Sequence, residues 1–204
     1  YSASSSCYGI AKNYPTDENE KIDCKYPYSK SKKICEDIID HWAKIYKFNY
    51  VSLRLFNVYG VRSRTNSAYG AALGVFLKQK LSKKPFTIVG TGNQKRDFIY
   101  VTDVCEAFYK SIERNISNEI LNIGSGNPKS VNHLVSLIKG QKIYIKKRPG
   151  EPFITHANIA KAKKYLNWKP IVNLDSGIKL VLNDISYWKN APLWDEKKIA
   201  DATK

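Results

Sequence analysis

An amphipathic run from Tyr28 to Phe48, set between two strand-like segments, constrains this chain more than any other feature. Ile34, Ile38, Trp42 and Ile45 recur at helical spacing and trace one apolar stripe. Before the run, Tyr1–Ser6 reads as the end of a buried strand entering a serine-rich turn, and residues 9–26 as a polar loop. After it, Tyr50–Phe56 (Y-V-S-L-R-L-F) alternates as a strand. The alternation of types continues: a loop over 57–66, a helix over 69–82, and strands at Phe86–Val89 and Phe98–Val101. Thr102 is expected to cap a helix reaching Arg114, with Asp103 and Glu106 in its first turn. Ile120–Ile123 and Lys142–Lys147 read as strands, with a helix from the cap Ser130 to Ile138 between them. Asn158 caps a helix through Leu166, and Leu174–Lys189 is a last amphipathic helix. Strands alternating with helices predict an α/β fold with a parallel sheet.

Within that frame, Tyr28 and Lys32 stand four residues apart just after Pro27, on one face of the first helix. A free phenol has a pKa of about 10. A neighbouring ammonium favours the phenolate, which can take a proton from a sugar or alcohol hydroxyl. The spacing recurs at Tyr8/Lys12, Tyr26/Lys30 and Tyr165/Lys169, but glycine or proline interrupts each of those. From spacing alone, a packed tyrosine beside a solvated lysine stays open.

Composition excludes several classes. Four cysteines (Cys7, Cys24, Cys35, Cys105) and three histidines show no metal spacing, so no zinc site is expected and the thiols read as reduced and cytosolic. No apolar run approaches the ~18 residues of a membrane span, and no signal peptide is visible. The net charge of +16 invites an anionic partner. Its lysines are dispersed, however, and no nucleic-acid-reading motif accompanies them, so nucleic acid is not the expected partner. A chain that opens on Tyr1 and holds no methionine is expected to be part of a longer product, with an N-terminal portion missing.

Seven landmarks follow in one order: Ser2-Ala3-Ser4-Ser5-Ser6-Cys7-Tyr8-Gly9; Pro27-Tyr28-Ser29-Lys30-Ser31-Lys32; Leu53-Arg54-Leu55-Phe56-Asn57-Val58-Tyr59-Gly60; the stretch Gly90 to Asp103, which contains Arg96-Asp97-Phe98; Leu121-Asn122-Ile123-Gly124-Ser125-Gly126; Arg148-Pro149-Gly150-Glu151-Pro152; and Leu166-Asn167-Trp168-Lys169-Pro170. Over nearly its whole length the chain resembles the extended short-chain dehydrogenase/reductase family, specifically its nucleotide-sugar epimerases of the UDP-glucose 4-epimerase type. The resemblance implies the C-terminal part of a Rossmann-like parallel sheet plus a smaller α/β substrate-binding domain. Residues 1–60 would complete the NAD-binding half, and 61–204 would mainly bind the nucleotide sugar, with segments around 95–125 returning to the Rossmann half. The family's glycine-rich phosphate turn precedes the serine-rich strand, so it falls outside this chain. Gly124-Ser125-Gly126 lies too far downstream to be that turn.

The resemblance also assigns roles. Ser4, with Ser5 as the alternative, would bond the sugar oxygen and relay its proton to Tyr28; a turn serine bonding only backbone is the other reading. Lys32 would hold the nicotinamide ribose, and the backbone at Phe56 would border the nicotinamide of NAD. Asn57, Arg96 and Arg148 would hold the substrate diphosphate, since guanidinium forks suit phosphate oxygens. Arginine is also the rarer cation here, six of the 34 basic residues. An ion pair between Arg96 and Asp97 is the structural alternative. Glu151 would bind the nucleotide ribose, and the Phe86-Thr87-Ile88 backbone the base. Arg62 and Arg64 read as surface charges or further anion contacts.

Two departures refine the expectation. Ser5-Ser6 stands where sugar-nucleotide dehydratases carry an acid, which argues against 4,6-dehydration and decarboxylation. Thr155 occupies a position where a bulky tyrosine restricts some epimerases to plain hexoses, leaving room for an N-acetylhexosamine or a hexuronate. The expected function is NAD-dependent epimerisation at C4 of a nucleotide-diphosphate sugar, in a cytoplasmic homodimer packed through the Tyr28 helix at Ile38 and Trp42. The alternatives are a reductase or 4,6-dehydratase of the same family, or a non-catalytic nucleotide-sugar-binding fragment. Surface polysaccharide building is the pathway the resemblance suggests.

Overall fold

A computed structural model describes residues 1–63, 72–147, 150–195 and 198–199. Strand β1 (Ser2–Ser4) runs into a 3-10 turn at Ser5–Tyr8 and a long polar loop. Helix α1 (Pro27–Tyr46) follows, with proline in its first turn and Lys47 closing it in the left-handed region. Strand β2 (Val51–Leu55) returns parallel to β1, with Ser4 opposite Leu55. Much later in the chain, β7 (Glu119–Ile123) pairs parallel with the other edge of β2, giving the order β1-β2-β7. The helix between two strands thus produces the parallel sheet its sequence predicts.

The stretch expected to be a loop from Asn57 contains a strand instead, β3 (Asn57–Tyr59). It pairs parallel with β6 (Phe98–Tyr100), which supplies an alternating apolar partner that local sequence does not reveal. Between them come α2 (Ala72–Leu81), β4 (Phe86–Val89) and the short β5 (Lys95–Arg96). Helix α3 (Val101–Glu113) starts one residue before Thr102, so Thr102 is not its cap; Tyr100 holds that position, without a side-chain bond. Asp103, expected to serve the helix dipole, is buried and accepts the Val172 N–H at 3.0 Å.

The remaining elements are β8 (Lys129–Ser130), α4 (Val131–Ile138), β9 (Lys142–Ile145), α5 (Ala160–Leu166) and α6 (Leu174–Asn183). Ser130 caps α4 as expected, its hydroxyl accepting the His133 N–H at 3.0 Å. Asn158 bonds the Ala160 N–H at 3.0 Å at the start of α5, although Ile159 is the cap residue. The final helix ends at Asn183 and continues as a 3-10 turn over Ile185–Asn190.

Two hydrophobic cores form among the described residues. One gathers Leu53, Phe56, Ile99, Leu121, Ile123 and Trp168 beneath the three-stranded sheet. The other gathers Phe76, Phe86, Leu134, Ile178, Val181 and Trp188 among α2, β4, α4 and α6. The β3–β6 pair serves both, because neighbouring strand residues face opposite ways. Val58 and Ile99 pack into the first core, while Tyr59, Phe98 and Tyr100 pack into the second.

Candidate active site

Strands β1, β2 and β7 end level with one another, Ser4 opposite Leu55 and Leu55 opposite Ile123. The carboxyl edge of a parallel sheet is where open α/β folds leave a crevice for ligands. Ser4, Phe56 and Asn57 all stand at this edge. Ser4 caps the 3-10 turn, accepting the Ser6 N–H at 3.3 Å, and its Oγ lies 2.9 Å from that of Ser6. The turn-serine reading therefore describes its present bonds, and Ser4 as a residue is half-buried.

Tyr28 occupies the first turn of α1 and is 55% exposed. Among the described residues, no hydrogen bond joins its phenol to Lys32. The Lys32 Nζ instead donates to the Ser2 carbonyl at 2.9 Å and lies 5.3 Å from the Tyr1 ring centroid. That contact ties the first turns of α1 to β1, two residues before Ser4. Phe56 is buried, 6.4 Å from the Tyr8 ring, and its N–H donates to the Ile123 carbonyl at 2.9 Å.

A second group assembles around β5. The Asn57 N–H donates to the Asp97 carbonyl at 3.0 Å, and Asn57 Oδ1 accepts from Thr155 Oγ1 at 2.9 Å. Thr155 Oγ1 in turn accepts the Asp97 N–H at 3.1 Å. Arg96 pairs with Glu151 at 2.7 Å and also donates to the Lys95 carbonyl at 2.8 Å. The fold thus joins Asn57, Arg96 and the Glu151–Thr155 segment, three stretches far apart in sequence. Phe86 does not join them. Its ring is buried against Phe76, with centroids 5.6 Å apart, and its N–H donates to the Gln141 carbonyl at 2.8 Å. Arg62 is exposed, while Arg64 and Arg148 lie outside the described residues.

Beside Glu151, a cavity of about 300 Å³ opens at the end of β4, lined by Val89, Gly90, Thr91, Gln94, Lys147 and Phe153. That volume reaches the lower end of small-molecule pockets.

Sequence reasoning missed the role of Asp97. Its side chain pairs with neither Arg96 nor any other cation among the described residues. Fully buried, it accepts from the Ser125 N–H at 2.5 Å, Ser125 Oγ at 2.7 Å, Gly126 N–H at 3.1 Å and Ala157 N–H at 2.9 Å. A Cβ on Gly124 would come within 2.6 Å of the Ala157 Cβ and 3.1 Å of Asp97 Oδ1, so glycine is required for the close approach. The turn glycines carried the available signal: backbone N–H groups that stay buried past the end of a strand need an acceptor.

A family profile described as the NAD dependent epimerase/dehydratase family matches residues 1–124. A Methanocaldococcus jannaschii protein provisionally named UDP-glucose 4-epimerase is 39% identical over 188 residues, covering 89% of this chain and 60% of that protein. The structure of a Bacillus cereus UDP-glucuronic acid 4-epimerase in complex with UDP-glucuronic acid and NAD is similar at a TM-score of 0.83 and 32% identity. That match covers 90% of this chain and 60% of the other. A UDP-N-acetylglucosamine 4-epimerase from Methanobrevibacter ruminantium M1, in complex with UDP-N-acetylmuramic acid, matches at 0.82 and 30%, covering 90% and 62%. The chain therefore spans about six-tenths of the length of the proteins it matches.

Proposed function

Because this chain belongs to the NAD dependent epimerase/dehydratase family, we propose that it is the catalytic and substrate-binding portion of an NAD-dependent nucleotide-sugar 4-epimerase. The observation that carries this reading is the level ending of β1 and β2. It sets Ser4 beside the Phe56–Asn57 segment, which leads directly into the Arg96–Glu151–Thr155 group.

The donor set suits NAD. The Lys32 ammonium, now bonded to the Ser2 carbonyl, and the Tyr28 phenol are the partners for ribose hydroxyls, and the backbone at Phe56 borders the nicotinamide. When bound, NAD supplies hydride acceptance and return at the sugar carbon. The chain's own residues manage the proton and the orientation. Tyr28 takes the proton of the sugar 4-hydroxyl and returns it, and Ser4 bonds the same oxygen and relays the proton. Arg96 and Asn57 hold the diphosphate, with Arg148 as a second guanidinium, so the sugar can turn while the nucleotide stays fixed. Glu151 takes the nucleotide ribose, and the 300 Å³ cavity next to it receives the base. The Phe86 ring belongs to the core, so the base contacts fall to the backbone of Phe86-Thr87-Ile88 in β4. Thr155 is small and already bonded to Asn57, which leaves room for a sugar bearing an N-acetyl or carboxylate group.

Residues 1–60 belong to the cofactor half and 61–204 mainly to the substrate half, with 95–125 returning to the first. The sharing of Ile99, Leu121 and Ile123 with the first core supports that division. A homodimer packed through α1 is part of the proposal, supported by the exposure of Ile38 and Trp42. All four cysteines are free, in keeping with work in a reducing cytoplasm, where the product would feed surface polysaccharide assembly.

The test is a panel of UDP-sugars offered to the full gene product with NAD. Epimerisation interconverts the C4 epimers with no net change in NAD, whereas a reductase would consume reduced cofactor. Tyr28→Phe should lower turnover by about 10²–10⁴-fold while sparing substrate affinity. Unchanged turnover in that variant would remove the assignment.

A further inference from the structure

Beneath the proposed site lies a buried polar network that none of its assigned roles uses. Arg54, in the central strand β2, is 3% exposed. It forks onto Glu36 of α1, with Nε to Oε2 at 3.1 Å and Nη2 to Oε1 at 2.6 Å. Its Nη1 donates to the Tyr8 hydroxyl at 3.0 Å and the Glu18 carbonyl at 3.3 Å. The guanidinium also lies 5.0 Å from the Tyr8 ring centroid. Tyr8 passes the chain on, donating to Asn122 Oδ1 of β7 at 2.7 Å. Asn122 donates through Nδ2 to the Thr16 carbonyl at 3.0 Å, and its N–H donates to Glu18 Oε1 at 2.7 Å. Thr16 in turn bridges to the strand-like segment after Thr155, its N–H donating to the His156 carbonyl at 2.7 Å.

The geography is specific. Glu36 sits one turn beyond Lys32 and two beyond Tyr28, on the one helix that carries both. Tyr8 ends the 3-10 turn that Ser4 caps. One guanidinium therefore grips the two elements on which all three proposed reacting residues stand. A buried ion pair of this kind is poor evidence for added stability, because well-packed apolar residues often do as well. It has the directionality that apolar packing lacks, since a bidentate fork fixes both rotation and axial position of the helix.

We propose that Arg54 is a positioning residue, whose fork onto Glu36 and bond to Tyr8 set the register of the Tyr28–Lys32 helix against the Ser4 turn. This rests on the epimerase reading above for its catalytic consequence, and on geometry alone for its structural one.

The test compares Arg54→Lys with Val181→Ala, a core substitution in α6 remote from the network, in the full gene product. Arg54→Lys keeps the charge and loses the fork. It should lower kcat by about 10–100-fold with KM within about threefold, whereas Val181→Ala should leave kcat unchanged. Amide hydrogen exchange should rise selectively over Ser4–Tyr8 and residues 27–35 in Arg54→Lys and not in Val181→Ala. A double variant, Glu36→Met with Arg54→Met, should fold and remain as slow as Arg54→Lys. Full kcat in that double variant, or an Arg54→Lys variant indistinguishable from Val181→Ala, overturns the proposal. If the wild-type gene product turns over no nucleotide sugar, the epimerase reading falls. The exchange map then decides the positioning claim alone, local loosening upholding it and a uniform change refuting it.

Discussion

At the scale of single residues, buried polar groups carry the most sharply defined demands. Asp97 satisfies three backbone N–H groups and one hydroxyl in a fully buried position. Asp97→Asn presents an amide where four donors converge, so it should cost about 3 kcal/mol, read as a lower urea midpoint. Glu18 behaves differently. Burial raises its carboxyl above the ordinary 4.5, outweighing the Asn122 N–H that it accepts. The folded state thus holds that proton more tightly than the unfolded chain does. Stability is therefore greater below 4.5 and declines as pH rises from 4.5 through the raised value. Glu18→Gln should flatten this part of a Tm-against-pH curve, and an unchanged slope would show that other groups produce it. Cys7 is 2% exposed and burial pushes its thiol up to about 11, whereas Cys35 and Cys105 are exposed. Brief iodoacetamide treatment of the native protein should label Cys35 and Cys105, with Cys7 reacting only in denaturant, as read by mass spectrometry.

Helix α1 is the element where sequence and structure teach most. Its existence and length were legible from the apolar period and from Pro27, yet its orientation was not. Ile34, Ile38, Trp42 and Ile45 are all exposed, while Ser29, Glu36 and Ala43 are buried. Periodicity identifies a stripe and cannot say what covers it, and here the inward face holds a carboxylate because Arg54 awaits it. Trp42→Glu should leave the Tm nearly unchanged and convert an α1-packed dimer to monomers in sedimentation. A dimer that persists would place the contact elsewhere. The strand at Asn57–Tyr59 was illegible for a related reason: three residues make a strand only when a partner such as β6 is present.

For the whole molecule, the two cores are joined by the β3–β6 pair, whose alternate residues enter each. Unfolding should therefore be cooperative. Variants retaining only Trp168, in the first core, or only Trp188, in the second, should report coincident urea transitions. Separated midpoints would mean that the shared strands do not couple the cores.

The alternation of the longer strands and helices, the proline that opens α1 and the Ser130 cap follow from local chemistry and were read from the chain, while the roles given to Ser4 through Thr155 came from the family resemblance. Only tertiary structure decided that Arg96 pairs with Glu151 rather than Asp97, that Phe86 faces the core, and that Arg54 holds α1 to the serine turn. Periodicity and capping act over a few residues and are written along the chain. The partner of a buried charge is chosen by which distant groups the sheet brings within hydrogen-bond reach, and that is settled only once the strands have paired.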